Sequence, residues 1–234
     1  MKKSIVYWSY IDTVQQVRAK EPVPIYTNYF KDKDVRGLGL EYSKCPAFRE
    51  LLHNTFGLKS LYDYDLEFKD GEVKSSMHDQ EFFENKVIIR NNESQLASFS
   101  LQYILIAEDD SLEMEYLPSF LENNKFNATT QLIPAVMDIG KYVRGLDCAF
   151  HCRENKMEVR EEDIYAYVKF KTNNKIEFKR FLWDEEINKP IIDVVTGVKT
   201  YRRNTFKPLD WYYKKQQAIK TKQRVIKLIK ENLL

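Results

Sequence analysis

The sequence predicts a mainly β fold: an antiparallel β-sandwich or jelly-roll-like body with a short helix near residue 50 and a C-terminal helical extension. Three observations carry this. Tyrosine and phenylalanine number 15 and 14 against only 7 glycines and 7 prolines, and aromatic side chains suit a pleated, half-buried surface. Beyond residue 60 apolar residues recur at every second position, which is the strand period. Beyond residue 208 the period turns helical and the charge turns basic. The expected organisation is a body over residues 1–185 and a basic helical extension over 186–234.

Each element has its own signal. "SIVYWSY" reads as an opening strand, and the two prolines of "AKEPVPIY" mark an extended edge segment. "KCPAFRELLHNTFG" reads as a helix with Pro46 in its first turn, an apolar stripe of Phe48, Leu51, Leu52 and Phe56, and Gly57 to end it. In "LYDYDLEF" Tyr62, Tyr64, Leu66 and Phe68 face one way and Asp63, Asp65 and Glu67 the other, with "KDG" as the turn. "NKVIIR" and the long apolar "QLASFSLQYILIAEDD" follow, the latter suited to a sheet centre. In "SLEMEYL" Leu112, Met114 and Tyr116 alternate with Glu113 and Glu115. "DIYAYVKFK" places Ile164, Ala166, Val168 and Phe170 inside and Tyr165, Tyr167, Lys169 and Lys171 outside. "TNNK" is a turn from which "KIEFKRFLW" is expected to pair back as a hairpin, for roughly nine strands in all. "NKPIIDVVTG" suits a short helix with Pro190 in its first turn. From Pro208 onward one long helix is expected, with a seam of Tyr212, Ile219, Ile226, Ile229 and Leu233 widened by Ala218 and Val225.

Composition narrows the function classes. No run of about 18 apolar residues exists, so no membrane span is expected. The basic start is followed by an apolar run broken at Ser9, Asp12 and Gln15, unlike a signal peptide. Three cysteines, an odd number, argue against a disulfide framework and for a reducing compartment. Net charge is +2 but uneven: from Lys199 onward there are 11 basic residues against Asp210 and Glu231, while residues 1–198 carry 26 basic against 33 acidic. An acidic body therefore bears a basic tail.

"GLDCAFHCRE" is the densest cluster of metal-binding residue types, with Cys148, His151 and Cys152 within five positions. On a helix the three would share a face. On a strand Leu146, Cys148, Phe150 and Cys152 point one way, and Asp147, Ala149, His151 and Arg153 the other. The strand gives an inward set that is wholly apolar or sulphur, and Cys45 is the only further cysteine that a zinc site could recruit, so a buried strand is the favoured reading and no metal or cofactor is assigned. Non-haem iron enzymes of jelly-roll fold need H-x-D/E, which fails at His53, His78 and His151. A rearranged set would draw on His78, Asp79 and His151, which keeps a metal-dependent enzyme as the alternative function. The acidic pairs Asp63/Asp65, Asp109/Asp110 and Glu113/Glu115 read as solvated sheet faces. Phosphate-loop, dinucleotide, G-x-S-x-G and H-E-x-x-H patterns are absent from the sequence, so no catalytic residue is assigned.

The tail carries the partner-binding expectation. Lys214, Lys215, Lys220, Lys222, Arg224, Lys227 and Lys230 stud its helix, preceded by Arg202 and Arg203, and Trp211, Tyr212 and Tyr213 could stack on single-stranded bases. The expected contact residues are Trp211, Tyr212, Lys214, Lys215, Arg224 and Lys227. They suit a protein partner, self-association, or nucleic acid as a second alternative.

"CPAF" at 45–48, "NTFGLKSLYDYDLEF" at 54–68, "DIGKYVRGLDCAF" at 138–150 and "YVKFKTNNKIEFKRF" at 167–181 give the chain a resemblance to a family of proteins of tailed bacteriophages, of marine or cyanophage type, with no known activity. The likeness spans roughly residues 5 to 185 and departs at Tyr142–Gly145, where the family has a tryptophan–phenylalanine pair and then Arg-Pro. It implies a phage origin, a setting in the host cytoplasm or the virion, and no catalytic residue. The expected function is thus a non-enzymatic binding or assembly component, virion or accessory, that contacts its partner through its sheet surface and its basic C-terminal helix.

Overall fold

The computed structural model describes residues 2–11, 18, 20–30, 44–70, 72–78, 86–190, 214, 217–218 and 220–234, and the fold is mainly β, as the alternation predicts. The larger sheet runs β14 (Lys175–Arg180), β1 (Lys3–Tyr10), β7 (Leu96–Ala107), β11 (Gly145–Cys152) and β9 (Thr130–Leu132), with β6 (Val87–Asn91) also paired to β7. The second sheet runs β10 (Val136–Asp138), β8 (Glu113–Leu117), β13 (Ile164–Phe170), β3 (Thr55–Lys59) and β2 (Val23–Pro24). A small third sheet joins β12 (Lys156–Val159), β4 (Tyr64–Lys69) and β5 (Glu72–Lys74). That makes 14 strands among the described residues, more than the sequence spacing predicts.

The main core lies between the sheets. Val6 and Trp8 from β1, Phe99 and Leu105 from β7, Met114 and Tyr116 from β8, and Val168 and Phe170 from β13 are all buried in it. β8 and β11 alternate as their sequences predict, because each buries one face only. β4 keeps Tyr64, Leu66 and Phe68 inward, but Asp65 is buried as well. Its carboxylate accepts bonds from Ser75 Oγ at 2.7 Å, the Ser76 amide at 3.0 Å, the Met77 amide at 3.1 Å and the Ser76 hydroxyl. Burial alone would raise the Asp65 pKa, but the bonds from Ser76, Ser75 and Met77 outweigh it and hold the carboxyl below its usual range. A lowered folded pKa gives stability that is full above the unfolded value of about 3.9 and is lost as pH falls through the folded value. Asp65→Asn should therefore lower the urea midpoint at pH 6 and flatten its fall below about pH 4. Urea titrations at both pH values check this.

β13 departs from expectation, since Tyr165 and Tyr167 are buried, not exposed. A register shift between Ile164 and Ala166 turns Tyr165 into the main core, while Ile164 and Tyr167 face a second layer on the far side of the sheet. That layer is built by Ile25 from α1 (Ile25–Phe30) and Leu52 from α2 (Pro46–Leu52). α2 begins at Pro46 as expected but stops at Leu52; Phe56 and Gly57 belong to β3. Asn54, with φ of 53°, makes the corner, and its Nδ2 donates to Thr172 O at 2.7 Å and Asn174 O at 2.8 Å. Gly57 is needed by close approach: a Cβ there would lie 2.8 Å from Ile164 Cγ2.

The expected β13–β14 hairpin does not form. β14 leaves the second sheet and pairs parallel with β1 in the larger one, Ser4 opposite Ile176 and Val6 opposite Phe178. All other strand pairings among the described residues are antiparallel. α3 (Lys125–Thr129) is capped by the Asn124 side chain and drives Phe126 into the core against Phe150, ring centroids 4.8 Å apart. Residues 185–190 form α4, which starts earlier than predicted because Asp184 Oδ1 caps the Ile187 amide at 2.8 Å; Pro190 is thus past the first turn.

Candidate partner-binding face

The helix expected from Pro208 is interrupted. Lys220 adopts a left-handed backbone with φ of 55° and ψ of 41°, and α5 begins after it, at Thr221–Glu231. The seam is also rotated: Thr221, Lys222, Val225 and Ile229 are buried, whereas Ile226 is only partly so. Leu233 lies past the helix, in an extended end that bridges antiparallel to Phe181. Val225 and Ile229 pack on the outer face of the larger sheet against Tyr7, Ile104, Ile106 and Phe181.

Lys222 is the main correction to the charge reading. The sequence places it on a solvated basic face, yet it is 5% exposed. Its ammonium donates to Asp110 Oδ1 at 2.6 Å, to Glu108 O at 3.2 Å and to Gly140 O. The signal was there to be read: positions 222, 225 and 229 follow the helical apolar spacing, and a lysine on that stripe must bury its stem. Gly140 is fixed by crowding, since a Cβ there would sit 2.6 Å from Asp109 O. Lys230 is tied to Glu108 at 2.7 Å but stays exposed.

The remaining described cations of α5, and Lys220 just before it, point outward. Lys220, Arg224 and Lys227 are exposed, flank a shallow hollow with Ala218 and Gln223, and form no ion pair among the described residues. Of the expected contact residues, Arg224 and Lys227 lie on this face and Lys214 is exposed. Trp211, Tyr212 and Lys215 fall outside the described residues, as do Ile219, Tyr213, Arg202 and Arg203.

The described histidines of the alternative metal set, His78 and His151, belong to no convergent group of His, Cys, Asp or Glu among the described residues. On β11 the inward residues are Leu146, Cys148, Phe150 and Cys152, while His151 is half-buried on the opposite face. His78 lies with Nε2 against Asp63 O, and Asp79 is outside the described residues. No three His, Cys, Asp or Glu side chains among the described residues converge to hold a metal ion. Burial, with a smaller push from Asp147, raises the Cys148 thiol well above its ordinary pKa; burial also raises Cys152. Both should stay protonated and unreactive at neutral pH. A thiol-titrating disulfide reagent should therefore label only exposed Cys45 in the native protein and all three cysteines once it is unfolded. Rapid labelling of three native thiols would contradict the strand assignment.

A feature that local sequence patterns do not reveal is a cleft of about 870 Å³ at one edge of the sandwich. β14 forms one wall and residues 49–56 the other, with Pro24 and Tyr26 at the lip. Its floor is aromatic: Phe56 and Phe178 meet edge to face with centroids 4.9 Å apart. Arg49 and Lys175 stand at the rim without an ion pair among the described residues, whereas Lys3 is paired with Glu177 at 2.5 Å.

The fold thus defines a class, a β-sandwich whose outer sheet faces are packed by helices. No protein-family model matches the chain, and no curated protein matches it. Among the described residues no helix is long and apolar enough to cross a membrane.

Proposed function

We propose that this protein is a non-enzymatic binding or assembly component of a tailed phage, acting in the host cytoplasm or the virion, and that it holds an acidic protein partner on the outward face of α5. The observation that supports this reading is the division of labour among the helix's cations. Lys222 and Lys230 are spent on the body, while Lys220, Arg224 and Lys227 project from a helix whose position that anchoring fixes. A row of unpaired cations on a fixed helix suits recognition of a complementary surface, because little backbone ordering remains to be done on binding.

Truncation would remove buried core with the tail, so charge reversal is the cleaner test. The triple variant Lys220→Glu, Arg224→Glu and Lys227→Glu should keep the thermal midpoint. By fluorescence anisotropy it should bind a labelled polyglutamate chain at least about tenfold more weakly than the wild type, with binding that falls as salt rises. Tighter binding of a labelled single-stranded DNA than of polyglutamate, lost in the same variant, would replace this reading with nucleic-acid binding.

A further inference from the structure

From the geometry of β14 we infer that the aromatic-floored cleft is a strand-addition site for an extended segment of another protein. In the parallel pairing with β1, alternate residues of β14 turn their backbone groups inward. Lys175 N donates to Lys2 O at 3.1 Å and Phe181 N to Trp8 O at 3.1 Å. The N–H and C=O of Ile176 and Phe178 therefore point away from β1, and no bond to them is formed among the described residues. Further along, the chain itself shows what this edge accepts. Leu182 N donates to Asn232 O and Leu234 N to Arg180 O, both at 3.1 Å, so residues 232–234 already lie antiparallel on its upper end.

The space beside Ile176 and Phe178 is strand-shaped. Phe178 meets Phe56 of β3, and β2 extends the second sheet one strand beyond β3. No described strand of the larger sheet lies opposite β2, and the cleft occupies that position. A strand added to β14 would complete the pair of sheets. Its residues opposite Ile176 and Phe178 would set their side chains on the aromatic floor, and its residue opposite Lys175 would meet an unpaired cation, with Arg49 across the cleft.

Charge disfavours a second copy as the occupant. The one register in which both open residues of each copy pair sets Ile176 against Phe178. Shifting it would need Asn174, whose backbone is already engaged, or the carbonyl of Arg180, which Leu234 occupies. In that register Glu177 faces its own copy and Lys175 faces Lys179, and like charges directly opposite are destabilising. The segment that fits reads apolar, any, apolar, acidic, antiparallel to β14. This site uses none of the α5 cations and stands or falls separately from the function proposed above.

The test is an NMR titration of the full chain with a capped Val-Thr-Val-Glu-Glu peptide. In the free protein the Ile176 and Phe178 amides should exchange with solvent faster than those of Glu177 and Lys179. Peptide at saturation should slow Ile176 and Phe178 roughly tenfold and shift Phe56. The same peptide N-methylated at both valines, and a Val-Thr-Val-Lys-Lys peptide, should do neither. Protected Ile176 and Phe178 amides in the free protein would overturn the proposal, as would equal shifts from the N-methylated peptide or no shifts at all. The triple α5 variant should respond like the wild type; loss of the response there would also count against a separate site.

Discussion

Phe150→Ala is expected to lower the unfolding free energy by about 4 kcal/mol, near the top of the range for emptying a core position. Phe150 is 1% exposed and sits among Phe99, Phe126 and Tyr165 at centroid distances of 5.7, 4.8 and 6.3 Å. These rings come from β7, α3 and β13, so no single neighbour can close the hole. His151→Ala, one position along β11 and on the other face, should change stability little, because that side chain is half-buried outside the core. Chemical denaturation of the two variants reads the strand assignment of "DCAFHC" directly. Similar losses from both would mean that the alternation is wrong.

Lys222→Ala should cost about 2–3 kcal/mol, by leaving one buried and one part-buried backbone acceptor without a donor. The pairing with Asp110 is the smaller part, since the Asp110 side chain is 78% exposed and water screens it. Stripping the lysine leaves Glu108 O and Gly140 O facing an emptied site beneath α5. Lys222→Met, which keeps the packed stem, should lose less than the alanine variant but more than Lys230→Ala, whose exposed pair with Glu108 should scarcely register. Urea midpoints for the three variants in that order would show that the polar anchor of α5 is the one buried lysine rather than its general basicity.

Local alternation made much of the sandwich legible. "GLDCAFHC" and "EMEY" disclose their inward faces because one side of each strand is buried and the other is not. "IYAYVKF" misleads for the opposite reason: β13 is covered on both faces and carries a register shift, so its tyrosines are core residues. The segment after "TNNK" has the period of a hairpin partner, but which strand it joins is decided by β1, more than 160 residues earlier in the chain. No local pattern encodes that choice. The cleft and the open edge of β14 follow from the same crossover and were equally hidden. The basic tail was visible as composition, but composition counts lysines alike, and the fold separates buried Lys222 from outward Arg224 and Lys227.

Buried Val225, Ile229 and Lys222 make α5 a built part of the body, and its outward cations ride on that fixed helix. Native-state hydrogen exchange of the intact protein measures this directly. The Val225 to Ile229 amides should exchange by an opening nearly as costly as that of the Ile104 and Leu105 amides of β7, and Lys222→Ala should bring that cost down. Exchange of the α5 amides at the rate of a free peptide, with β7 fully protected, would contradict it and leave the basic segment a detached tail.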